Sequence, residues 1–228
     1  MSLARRLIAA GFSDLEKGER FLAAPELEGL DQDVLFAGLQ LAANPDTALQ
    51  SLVRLIEKHP GLRKLAAAEP ERSEPLYRVL GASEALGEFL IRHPEHLDAF
   101  EVTASPEPRA ADAAVLRARL LQSVGADPKS GRPVAALSGQ EGYEALRTEY
   151  RRGLVELAVK DLCAADPLDF MPAAGAELAD LAGAAIEAAL AVSRAEAADH
   201  FSATEVADVG LAVIGMGKCG ARELNYIS

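Results

Sequence analysis

Apolar positions recur at helical spacing over most of the chain. Asn44-Pro45 starts a helix, with a side-chain cap and a ring at the first helical position. Leu49, Leu52, Val53, Leu55 and Ile56 then follow at helical intervals until His59-Pro60-Gly61 stops the run. Ser83-Glu84 opens another helix, with Leu86, Phe89, Leu90 and Ile91 on or near one face, ended by His93-Pro94. A further helix is predicted from Arg109 to Val124. The turn residues of Asp127-Pro128-Lys129-Ser130-Gly131-Arg132-Pro133 then mark a loop, read as a surface connection rather than a lid.

The longest predicted element follows. Tyr143, Leu146, Tyr150, Leu154, Leu157 and Asp161 share one stripe, and Arg147, Arg151 and Arg152 lie on a neighbouring face. That arginine face suits either a phosphate or acidic partner, or plain solvation. Asp166-Pro167 breaks the helix, and a second long one is predicted over about Gly175 to Asp199. The pattern then switches. Val209-Gly-Leu-Ala-Val-Ile214 is a short continuous apolar run bounded by glycine, the signature of a buried strand. Leu224-Asn-Tyr-Ile227 reads as the start of a second.

Composition supports a mainly α fold. Half of the 228 residues are hydrophobic, aromatics make up only 5 % and Trp is absent, so alanine and leucine supply the apolar surface. The formal charge of −12 argues against nucleic acid or an acidic membrane as a partner of the whole surface. The start of the chain lacks the long apolar stretch of a signal peptide, and Ala173 to Ala198 carries too many charges for a membrane span. A cytoplasmic protein is expected. Cys163 and Cys219 are far apart, with no CxxC and no histidine at ligand spacing, so no zinc site is expected and both thiols should be reduced. The four histidines show no spacing that suggests a base; His59 and His93 precede prolines at helix ends, a capping role.

The candidate chemistry lies at Gly215-Met-Gly217-Lys218-Cys-Gly220-Ala-Arg222-Glu223. Glycines let the backbone turn sharply and offer N–H groups to an anion, and Lys218 and Arg222 add positive charge in an otherwise acidic chain. Three readings compete. The Gly-x-Gly-x-x-Gly spacing fits a dinucleotide fingerprint, but the helix, second strand and acidic residue which that site needs do not fit in the eight residues after Gly220. A P-loop needs Ser or Thr after the lysine, where Cys219 stands. The third is a strand-turn-strand hairpin with no ligand.

The run Val213-Ile-Gly-Met-Gly-Lys-Cys-Gly-Ala-Arg-Glu-Leu-Asn-Tyr-Ile-Ser228 closely resembles the motif GMGKxGxRELNxxSDxD of the glutamine synthetase adenylyltransferase/adenylyl-removing enzymes. Val79 to Pro94 looks like the early helical signature of that family, and Leu146 to Leu162 like the helix before its catalytic domain. Cys219 replaces a commonly aliphatic residue, Ala221 a frequent Gly, and Glu156 an arginine found in many relatives.

The resemblance implies a helical region over residues 1–140, long helices over 141–205, and the start of a polymerase β-like nucleotidyltransferase (α+β) domain over 206–228. It further implies phosphate or nucleotide binding by Gly215, Gly217, Lys218, Arg222 and Ser228, with Lys218 and Arg222 contacting phosphate or ordering the loop. Glu223 and Asn225 would hold the turn rigid. The Mg²⁺ ligands would be two aspartates just after Ser228, so a chain ending there is expected to be inactive alone. ATP, ADP and phosphate are the implied substrates, glutamine synthetase the implied partner, and the PII signalling protein and glutamine the implied effectors. Glu223-Leu-Asn-Tyr226 looks like the first of two such domains, the one that removes AMP by phosphorolysis. A non-catalytic helical scaffold and a dinucleotide-binding oxidoreductase fragment remain as alternatives. The strand at Val209, separated from later strands, should leave an exposed edge that favours self-association.

Overall fold

A computed structural model of the chain describes residues 2–100 and 109–226. The chain divides into two compact units. One comprises residues 1–108 and 158–167, the other residues 109–157 and 168–228.

In the first unit, helices α1 (Leu3–Ala9), α2 (Leu15–Leu22), α3 (Gln32–Leu39), α4 (Pro45–Lys58), α5 (Arg63–Ala66), α6 (Pro70–Ala82) and α7 (Glu84–Arg92) follow one another, with 3-10 turns at Pro25–Leu27, Pro60–Leu62 and Pro94–Phe100. The punctuation predicted at Asn44 and Ser83 is present: Asn44 Oδ1 accepts from the Thr47 amide at 3.1 Å and Ser83 Oγ from the Leu86 amide at 3.3 Å. α4 is the central helix, packing against α2, α6 and α7. Its Leu49, Leu52 and Leu55 are fully buried, with Leu76, Tyr77 and Leu80 of α6 and Phe89 and Leu90 of α7. The crossing of α3 and α6 depends on Gly38, where an added Cβ would lie 2.2 Å from the Tyr77 ring. The buried Tyr77 hydroxyl donates to the Ala66 carbonyl at 2.9 Å, so its polar end is satisfied inside the core.

The second unit is built on α8 (Ala113–Ser123), most of α9 (Gly139–Leu162) and α10 (Pro167–Ala197), followed by the short α11 (Ala203–Asp208) and α12 (Gly217–Gly220). Leu116, Leu120 and Leu121 of α8 pack with Leu181, Ala184, Ala188, Ala191 and Val192 of α10, and Leu146, Tyr150 and Leu154 of α9 cover that cluster. Small residues permit the close approach of α9 and α10: a Cβ at Gly153 would meet Leu181 at 2.8 Å. The half-buried Arg119 bridges Glu149 at 2.6 Å and Glu156 at 2.7 Å. Glu156 therefore has a local reason to be acidic: it also accepts from Arg152 at 3.1 Å. The predicted arginine face is split accordingly, with Arg152 inside this network and Arg147 and Arg151 exposed.

Three expectations are corrected. α8 begins at Ala113 rather than Arg109, because Asp112 caps it through the Ala114 amide at 2.7 Å, while the Ala111 amide donates to the buried Glu177. α10 begins at Pro167 rather than near Gly175, since the ring suits the first helical turn, where an amide has no intrahelical acceptor. Most consequentially, no β-strand forms among the described residues, and the polymerase β-like sheet is not seen. Residues 209–216 lack regular structure, and Val213, Ile214 and Met216 are 57 %, 82 % and 81 % exposed. A strand is made by its neighbours: without a paired edge, its N–H and C=O groups bond to water and the apolar run has no sheet to enter. Leu224 to Tyr226 likewise form no strand. No helix among the described residues is long and apolar enough to cross a membrane.

Candidate functional site

The glycine run folds into a tight turn around α12. Gly217 takes a left-handed φ of 56° at its start. Gly220 has no room for a side chain, because a Cβ would lie 2.4 Å from the Gly215 carbonyl oxygen. Gly215 and Gly220 thus meet backbone to backbone, a contact only glycine permits.

The far end of the turn closes by two bonds. The Arg222 amide donates to Cys219 O at 3.2 Å and the Glu223 amide to Lys218 O at 2.8 Å. This helix ending requires a left-handed residue, normally glycine, yet Arg222 occupies it with a φ of 60°. Left-handed backbone costs a non-glycine residue about 1–2 kcal/mol. The offset is visible in the side chain, whose guanidinium donates bidentately to Asp180 of α10, at 2.7 Å on each arm. Asp180 is only 14 % exposed at its side chain, so the pair is better shielded than an ordinary surface bridge. One and a half turns earlier on α10, Gly175 lets the turn approach: a Cβ there would stand 3.3 Å from Leu224 O and 3.4 Å from Arg222 O.

Lys218 lies on the open side of this turn. It is exposed, and its ammonium is 3.4 Å from Asn225 Oδ1, a contact that spans the turn. On the opposite side Cys219 is half-buried, near Tyr150, whose phenol is pushed up first by burial and then by that thiol. Of the sequence-predicted residues, Gly215, Gly217, Lys218 and Arg222 converge in one turn, and Ser228 lies outside the described residues. Sequence reasoning missed Asp180 and Gly175. Nothing local marks them, since an aspartate and a glycine in an alanine-rich helix acquire their role only when the turn packs on it.

An apolar groove of about 630 Å³, lined by Leu190, Ala197, Phe201, Val206, Val209 and Leu211, also lies in this unit. Arg194 borders it and donates to the Pro133 carbonyl at 3.0 Å. Its walls suit hydrocarbon rather than phosphate.

Residues 73–228 match the model of the glutamate-ammonia ligase adenylyltransferase family. The chain belongs to this family. The match includes most of α6, the long helices and the whole glycine turn. Three relatives, each named a bifunctional glutamine synthetase adenylyltransferase/adenylyl-removing enzyme, extend the similarity to nearly the full chain. The protein of Leifsonia xyli subsp. xyli is 41 % identical over 206 residues, covering 89 % of this chain and 20 % of its own length. That of Streptomyces avermitilis is 40 % identical over 231 residues, covering 98 % and 20 %. That of Bifidobacterium longum subsp. infantis is 37 % identical over 229 residues, covering 97 % and 21 %. The chain thus spans about a fifth of the length of the curated relatives it matches. No solved structure matches it. The helix after the glycine run is only four residues long, which does not match the helix that the dinucleotide fingerprint needs.

Proposed function

We propose that these residues form the front part of a longer enzyme that regulates glutamine synthetase by reversible adenylylation, and that the Gly215–Glu223 turn is part of its phosphate-binding surface. The observation that carries this reading is the exposed Lys218 ammonium on a backbone turn clamped to α10. Gly215 and Gly217 shape the turn, and Lys218 contacts a phosphoryl oxygen. Arg222 acts as a positioning residue: its guanidinium is held by Asp180, so it orders the loop rather than reaching for phosphate. Asn225 restrains Lys218, and Ser228 is the residue that precedes the metal-binding aspartates in the family motif.

The wording Glu223-Leu224-Asn225-Tyr226 supports the adenylyl-removing half. In that reaction inorganic phosphate attacks the phosphorus of the AMP–tyrosine ester. A new P–O bond forms ADP, the bond to the tyrosine oxygen breaks, and that oxygen takes up a proton. Mg²⁺, when bound, neutralises phosphoryl charge and aligns the attacking oxygen. Its ligands in the family motif are two aspartates after the position of Ser228. They are not among these 228 residues, which we therefore propose do not turn over by themselves. A cytoplasmic setting, with the PII protein and glutamine as effectors, completes the proposal.

The direct test is the coding sequence beyond Ser228. Asp-x-Asp in the next codons supports the transferase. A stop codon there would favour a helical scaffold instead.

A further inference from the structure

Three ligand-bearing side chains converge where α7 passes into the 3-10 turn Pro94–Phe100. His93 ends α7 with φ −130° and ψ 67°, and Pro94 fixes the first residue of the turn. His93 immediately precedes this turn and His96 is its third residue, and their rings stack with centroids 6.1 Å apart and planes at 28°. Phe89 packs against both rings at 4.9 and 5.5 Å, limiting their rotation from the apolar side. Glu95 completes the group: its Oε1 lies 3.2 Å from His93 Nδ1 and 3.8 Å from His96 Nε2.

These ligand atoms all lie within 4.8 Å of one another. A tetrahedral ion with bonds of about 2.0–2.1 Å places its ligands about 3.3–3.4 Å apart. The two distances to Glu95 bracket that value, the third edge is no longer than 4.8 Å, and the His93 side chain is 33 % exposed. Glu95 is 58 % exposed at its side chain, leaving an open side for the ion and a water.

We propose that His93, Glu95 and His96 form a binding site for a divalent transition-metal ion of the zinc type, with water in the fourth position. Two imidazoles and one carboxylate suit Zn²⁺ or Ni²⁺ and disfavour Mg²⁺, which demands oxygen ligands in octahedral array. The end of α4 provides an internal comparison. It has the same His-Pro sequence and the same 3-10 turn, at His59-Pro60, but Gly61 and Leu62 stand where Glu95 and His96 would be. His59 Nε2 instead lies 3.3 Å from the Ile91 carbonyl. The capping role expected from His-Pro accounts for both helix ends; the added carboxylate and second imidazole occur at one.

The test is calorimetric titration of ZnCl₂ into the chelator-treated chain carrying Cys163→Ser and Cys219→Ser, which removes the thiols as competitors. One equivalent should bind, with MgCl₂ giving no saturable heat. Even outer-shell substitutions at metal sites cost about 10- to 100-fold in affinity, so His93→Ala, Glu95→Gln and His96→Ala should each weaken binding at least about tenfold, with His59→Ala unchanged. Circular dichroism checks the fold of each variant; Glu95→Gln, exposed and isosteric, decides if His96→Ala does not fold. Absence of saturable zinc binding, or undiminished affinity in both Glu95→Gln and His93→Ala, overturns the proposal.

Discussion

Asp180 holds Arg222 by two hydrogen bonds of 2.7 Å across 42 positions of sequence. The pair fastens the end of the glycine turn to α10 at a residue whose backbone is left-handed. Removing the carboxylate leaves the backbone strain of Arg222 without its compensation.

Asp180→Asn should therefore loosen the turn without unfolding the unit. Amide hydrogen exchange at residues 221–223 should accelerate about three- to tenfold, the range for losing a shielded bidentate pair, with α8 to α10 unchanged. Arg222→Gly loses the same bonds and also the strain, so its exchange should lie between wild type and Asp180→Asn. Equal rates in all three proteins would show that the clamp is ornamental.

The exposed run at residues 209–216 predicts concentration-dependent association of the isolated chain. Ile214 is 82 % exposed, and no strand among the described residues covers this apolar run. Ile214→Asp should lower the weight-average mass seen by sedimentation at high protein concentration. A wild-type chain monomeric at every concentration contradicts this expectation.

Cys163 should be the slow thiol. Burial, reinforced by the nearby Glu74 carboxylate, pushes its pKa up to about 11 from an ordinary value of 9.0. A raised acid pKa stabilises the fold while the thiol is protonated, fully below pH 9 and decreasingly as pH rises through 11. Alkylation at pH 8 should modify Cys219 first, and unfolding curves of Cys163→Ser should lose less stability than wild type between pH 9 and pH 11. Equal alkylation rates would contradict the burial argument.

Gly38→Ala should destabilise the first unit severely. The new methyl would enter the Tyr77 ring, and overpacking of a rigid core costs roughly 1–3 kcal/mol. A fall in melting temperature of roughly 5–10 °C is expected by calorimetry; no change would mean that α3 and α6 can separate freely.

The helices were legible where their signals are local. Asn44, Ser83 and the two His-Pro pairs act within one helical turn, so sequence alone located those ends. The failures are non-local. Val209 to Ile214 have the composition of a strand, yet composition cannot supply the neighbour that makes one. Asp180 and Gly175 matter only because a turn some forty residues later rests on them.

Under the proposed function, Lys218 serves the phosphate of an adenylyl-removing site. The decisive assay is phosphate-dependent release of ADP from adenylylated glutamine synthetase by the full-length protein containing this chain and by its Lys218→Ala variant. Loss of one charge-assisted contact made in the transition state should lower that rate about 10²- to 10³-fold and leave ATP-dependent adenylylation intact. An unchanged rate of ADP release, or loss of adenylylation instead, would rule out this role for Lys218.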